Sequence, residues 1–299
     1  MRFPFACRFP FGVRRGKLER LRSSGIVKSV MLLKKEEYVE QNFFFKTFRA
    51  RLDDGYSTQE ILYGMKNELL NATNLPVAIG VLLTEVKLSG KMSLAMQRML
   101  HYFTPFQTFV IKEAEKEEGR FDFRIALQIL EREAQYRMDS PTPQGSFFYQ
   151  FETLSRNRLG FDYGLEAIAN DPIYDENWKH WVNVVLRRQV GFIDVAKLVF
   201  VRSAFYQLYE DEEPQPVLFG EQEGSIAKAS IGRDPLFFFS ALSRHLGYPA
   251  VPRIQHIEEK EDPAFTELRR KLELLEDRVQ LLQEELKGGI NLERFYVKK

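Results

Sequence analysis

Four glutamates crowd one short stretch, Glu113, Glu115, Glu117 and Glu118, within "VIKEAEKEEGRFDFRIA" at 110–126. Clustered carboxylates are the usual ligands of hard cations and the usual general acids and bases. On a helix, however, Glu113 and Glu117 share a face, four residues apart, and the four do not converge. That spacing favours a solvated face over a metal site. Farther along, "VLFGEQEGSIAKA" at 217–229 repeats the layout: an apolar approach, carboxylates, a glycine and an apolar run. Glu221 in this second stretch is placed to accept backbone N–H bonds at the start of a helix, where its charge is also favourable. A structural cap is the reading preferred over catalysis.

No other pattern gathers reactive groups. His101, His180, His245 and His256 are scattered, with no H-E-x-x-H and no second ligand at metal spacing. There is no Walker loop, no dinucleotide fingerprint and no nucleophile elbow. The expectation is a protein that is not an enzyme, with no catalytic residue, cofactor or metal. A bundle enzyme holding a metal on inward carboxylates is the least supported alternative.

The chain has 299 residues, 44% hydrophobic and 28% charged, with a net charge of +1. This is globular composition, long enough for two cores, and too neutral for a nucleic-acid coat. One cysteine, Cys7, rules out an intrachain disulfide and suits a reducing compartment. No window reaches the roughly 20 apolar residues of a membrane helix, so a cytoplasmic location is expected, with contact at the inner membrane face as an option. Residues 1–35 carry ten Lys or Arg against Glu19 alone. Three readings of this basic segment stay open: an upstream stretch with the start at Met31, a disordered arm touching nucleic acid or anionic lipid, or a transit peptide.

From residue 38 the periodicity is helical almost throughout. Phe44, Phe45, Phe48 and Leu52 share a face; Ser57 and Glu60 stand three apart, as a capping box requires. Six helices are expected in 38–138 and a second set in 147–251, separated by a linker at 139–146 ("MDSPTPQGS" and its surroundings). In the last piece Asp234, Pro235 and Gly247 read as N-cap, first helical position and C-terminal stop. Trp178 and Trp181 suit either a core or a binding hot spot.

The glycines suggest duplication. Gly119 follows Gly55 at the same distance as Gly224 follows Gly160, and Gly90 and Gly191 lie between, a few residues out of register. After a charged linker at 252–263, residues 264–287 carry heptads. Phe265, Leu272, Val279 and Leu286 fall at a positions, with Leu268, Leu275 and Leu282 at d. That pattern favours a parallel homodimer, against the alternative of a helix folding back on its own chain. Residues 288–299 form a tail.

Each unit has an aromatic-led helix, a glycine turn, a helix into a second glycine, and a Gly-Glu-x-x-Gly or its remnant before a closing helix. This order resembles the cytoplasmic domains of the GspF/PilC family, the inner-membrane platform proteins of type II secretion and type IV pilus machines. Gly220, Glu221 and Gly224 match the family's Gly-Glu-x-x-Gly; Glu115 and Gly119 are what remains of it in the first unit. The resemblance implies an all-α fold of two tandem six-helix bundles of that type, followed by the coiled-coil helix. It also implies a non-enzymatic scaffold or adaptor meeting protein partners such as an assembly ATPase or membrane-bound platform components. The family's membrane spans are missing: polar linkers stand in their places. The alternative function is an adaptor that binds nucleic acid or anionic membrane through its basic arm.

Overall fold

In a computed structural model of the chain, the described residues are 33–69, 72–116, 121–139, 141–186, 194–209 and 216–253, with Lys271 and Val279 beyond them. The basic arm up to residue 32, Gly119, Gly191, and Leu268, Leu272, Leu275, Leu282 and Leu286 of the heptad run lie outside that set. Val279 is helical and 51% exposed.

The first segment is built as its caps dictate. Helix α1 (Lys35–Asp53) buries Phe44, Phe45 and Phe48 completely. It packs along α6 (Phe123–Met138), with the Phe48 and Phe123 rings 6.1 Å apart. Each such ring is worth roughly 1.5–3 kcal/mol of burial. Asn42 on α1 adds a hydrogen bond to the Glu131 carbonyl of α6 at 2.8 Å. Helix α2 (Thr58–Glu68) opens with the expected capping box of Ser57 and Glu60. Helix α3 (Leu75–Ser89) ends at Gly90, which takes the left-handed φ of 75°. The short α4 (Ser93–Arg98) follows, then α5 (Pro105–Ala114), opened by a second capping box from Thr104 and Gln107.

The second half of the stretch read as a linker is helical. Helix α6 runs through Met138, and α7 (Pro143–Arg156) already contains Gly145 and Ser146. Thr142 accepts the Gly145 N–H at 3.1 Å and Pro143 takes the first helical position, where no N–H is needed. The same residue types that suggest a loop are here the machinery of a helix start. Helix α8 (Phe161–Ala169) comes next. Helix α9 (Glu176–His180) then runs into a π-helical turn, Trp181–Leu186.

"VAKLVFVRSAFYQLY" forms two helices, α10 (Val195–Val201) and α11 (Ala204–Tyr209). The break falls where Ala204 N–H donates to the Phe219 carbonyl at 2.9 Å and Leu218 N–H to that of Arg202 at 3.0 Å. Long-range backbone pairing has replaced helical bonding there. Helices α12 (Glu221–Ser230) and α13 (Pro235–Leu246) close the segment. Asp234 caps α13 through the Leu236 N–H, and Gly247 ends it with φ 67°.

The described chain is all-α, with no β-strand among its described residues. Its two segments do not close separate cores. Buried apolar side chains from Phe44 to Val251 form one cluster, and both segments fall within the one compact unit that ends at Pro252; residues 253–299 form a second unit. Helix α5 packs on α8 across the segments, and Tyr149 on α7 donates to the Ile129 carbonyl of α6 at 2.7 Å. Trp178 and Trp181 belong to this core, stacked edge-on against Phe219.

Candidate functional site

The carboxylates singled out by sequence turn to different tasks. Helix α4 begins at Met92 and Ser93 with no side chain of its own to cap it. Glu115, at the C-terminal end of α5, supplies the cap from a distance: its carboxylate accepts the N–H of Met92, and that of Ser93 at 3.1 Å. Glu37 on α1 does the same for α3, accepting the Asn74 N–H at 3.0 Å and its side-chain amide at 2.8 Å. An anion at a helix start satisfies orphan donors and opposes the macrodipole. Glu113 is buried beside Gly160 and paired with Lys116 at 2.6 Å. Glu113 and Glu115 therefore converge on no common point. Glu117 and Glu118 lie outside the described residues.

Glu221 sits exposed in the first turn of α12 and makes no capping hydrogen bond. The expected cap is not formed: the buried carboxylate there is Glu223, folded back against Gly220, the N-cap residue, and 3.4 Å from His245 Nε2. The two motif copies also differ in setting. Glu115 ends a helix, whereas Gly220 and Glu221 begin one.

The glycines divide by reason. Gly55 has φ 89°, a conformation that strains any side chain. Gly160, its counterpart in sequence, has φ −59°, and the left-handed residue of that turn is Arg158 at φ 53°. Gly224 is inside α12, where a Cβ would fall 2.2 Å from Ser203 Oγ and 2.7 Å from Phe205 Cβ. It is a close-approach glycine, pressed against the start of α11.

One convergent cluster escaped the sequence reading. Arg137 on α6 donates from Nη2 to Asp171 Oδ2 at 2.5 Å and to Glu133 Oε1 at 2.9 Å. Gln150 on α7 donates to both carboxylates, at 3.0 and 3.1 Å, and Tyr174 donates to Gln150 Oε1 at 2.8 Å. The three charged side chains are 1%, 3% and 0% exposed for Arg137, Glu133 and Asp171. Burial alone would lower the Arg137 pKa, but Asp171 and Glu133 more than offset it and hold the guanidinium charged. Burial and Asp171 push the Tyr174 hydroxyl up, so it remains a proton donor. The Glu133–Arg137 pair is legible as i, i+4 spacing; Asp171, Gln150 and Tyr174 join it only through the tertiary fold.

Among the described residues no group of His, Cys, Asp and Glu could hold a metal ion. His101 and His180 are exposed. Open grooves also occur among the described residues. One, of about 620 Å³, runs along α3 between Lys66 and Arg98; another, of about 320 Å³, lies between α5 and α8 at Phe109 and Tyr163. Among the described residues no helix is long and apolar enough to cross a membrane.

These features define a class, the all-α bundle whose buried charges tie helices together. No family model matches the chain, and no curated protein or solved structure matches it either.

Proposed function

We propose that this protein is a non-enzymatic helical scaffold that works in the cytoplasm through protein–protein contacts, related to the secretion and pilus platform proteins and paired as a homodimer through 264–287. One contrast carries the reading. The convergent charges Glu133, Arg137 and Asp171 are sealed from solvent and paired with one another as ties between segments, while the outer face of α3 presents Val77, Val81 and Leu88 to solvent. Polar chemistry turned inward with apolar side chains turned outward suits a protein that is bound, since exposed apolar surface marks interaction sites.

The platform relationship is supported by the six helices of Lys35–Met138, by the glycine after the first helix of each segment, and by Gly90 ending α3. The place of Gly224 inside α12 speaks against it. The partners on this reading are an assembly ATPase or membrane-bound components of such a machine. Tagged full-length protein, cross-linked in its own cells and recovered, is expected to carry a secretion or pilus component. Recovery without one sinks the relationship. Sedimentation is expected to give a dimer that Leu275→Glu with Leu282→Glu reduces to monomer; a wild-type monomer removes the zipper.

A further inference from the structure

Helix α3 is apolar around more of its circumference than its neighbours cover. Leu75, Ile79, Leu82 and Val86 face the core, yet Val77, Val81 and Leu88 are 70%, 38% and 80% exposed. Helical spacing sets these three in one stripe with Thr84, and Gly80 makes a gap at its edge. The stripe forms the floor of the groove of about 620 Å³, and no aromatic ring lines it. Lys66 on α2 leans across the gap, its Nζ 3.4 Å from where a Gly80 Cβ would sit. Lys87, two turns on from Gly80, stands exposed on the same side. On the other side Arg98 is already bound to Glu85 at 2.7 Å. Lys66 and Lys87 enter no ion pair among the described residues.

We propose that this groove docks a partner's amphipathic helix whose apolar stripe is flanked by acidic residues, an inference that rests on the scaffold reading. Val77 to Leu88 spans about three turns, roughly 16 Å, the reach of the i, i+3/i+4, i+7 anchors by which a helix lies in a groove. Charge selects the partner. The rim adds two free ammonium groups to a neutralised Arg98–Glu85 pair, so an acidic flank is complementary. A second copy of this chain would set Lys66 and Lys87 against each other, and like charges across an interface are penalised. A bilayer is flat where this surface is concave, and it draws on interfacial aromatic rings that the groove does not have.

The test uses the full chain and a labelled synthetic helix of about 18 residues, leucines on one face and glutamates beside them. Its twin carries lysine for glutamate, and binding is read by fluorescence anisotropy. The acidic peptide is expected to bind at least about tenfold more tightly than the lysine twin, less so as salt rises from about 0.1 to about 0.5 M. Val81→Glu with Leu88→Glu should weaken it at least about tenfold, and Lys66→Glu with Lys87→Glu should reverse the preference. All four positions are exposed, so circular dichroism and melting should be unchanged. Equal binding of the two peptides, or a preference that survives Lys66→Glu with Lys87→Glu, overturns the proposal. So does self-association, or binding to phosphatidylserine vesicles, that Val81→Glu with Leu88→Glu abolishes. A cellular partner retained by that variant ends the groove proposal and leaves the scaffold reading standing. Peptide binding as expected, with no cellular partner recovered, does the reverse.

Discussion

Arg137 and Asp171 meet at 2.5 Å with both side chains closed to solvent, one from the last helix of the first segment, the other from the loop after α8. This contact, with Glu133 and Gln150, joins the two segments by charge where apolar side chains already join them by burial. Removing Arg137 leaves two buried carboxylates, Glu133 and Asp171, with no counter-charge. Arg137→Met is expected to lower the unfolding free energy by about 3–5 kcal/mol. Urea denaturation checks this; a loss under about 1 kcal/mol would mean that solvent already reaches the cluster in solution.

Gly160 and Gly224 are both glycine landmarks of the second segment, yet they should respond differently to alanine. At Gly224 the new Cβ overlaps Ser203 and Phe205, and Gly224→Ala is expected to cost about 1–3 kcal/mol. At Gly160 the nearest atom is Glu113 Oε1 at 3.8 Å and φ is −59°, so Gly160→Ala should be within about 0.5 kcal/mol of neutral. Thermal melts of the two variants decide it. Similar losses at both sites would refute the assignment.

Glu115 caps a helix that is separate in sequence from its own. Glu115→Ala removes the acceptor of the Met92 and Ser93 N–H groups and should cost about 0.5–2 kcal/mol. Hydrogen exchange should accelerate at those amides before it does in α1. Unchanged protection at Ser93 would count against the long-range cap.

Burial first, with nearby carboxylates adding, raises the hydroxyl pKa of Tyr149, Tyr174 and Tyr248 above the phenolic range. In an unfolded chain these groups ionise near pH 10. A raised folded pKa means that their contribution is complete below about pH 10 and is lost as pH rises above it towards the folded values. Alkaline titration should therefore show tyrosinate absorbance from these residues only together with loss of helical dichroism. In Tyr248→Phe the fall of stability above about pH 10 should be shallower. Tyrosinate from all three appearing while the helices persist would overturn the burial.

Much of the local architecture was legible in the sequence. Ser57 with Glu60, Asp234 with Pro235, and Gly90 and Gly247 mark helix ends by chemistry confined to a few neighbouring residues, and the structure places the ends there. The phase of Phe44, Phe45 and Phe48 identified a buried face because helical period is a property of the chain alone. The triple phenylalanine at 237–239 divides between core and surface, with Phe238 and Phe239 buried and Phe237 exposed.

Tertiary structure decided the rest, because those outcomes depend on partners distant in sequence. Thr142 and Pro143 read as loop until a helix start uses them. Val195–Val201 and Ala204–Tyr209 part where the Phe219 carbonyl takes the Ala204 N–H. Glu115 reads as a motif remnant until α4 presents two uncapped amides to it. Glu133 and Arg137 are a surface pair by spacing, and become a buried one only when α7 and the loop after α8 bring Gln150 and Asp171 over them. Local propensity and capping act within a turn or two of chain, so the sequence alone could set the helices and their ends. Desolvation and long-range hydrogen bonds act between chain segments, and they determined which charges are sealed and where the two segments became one core.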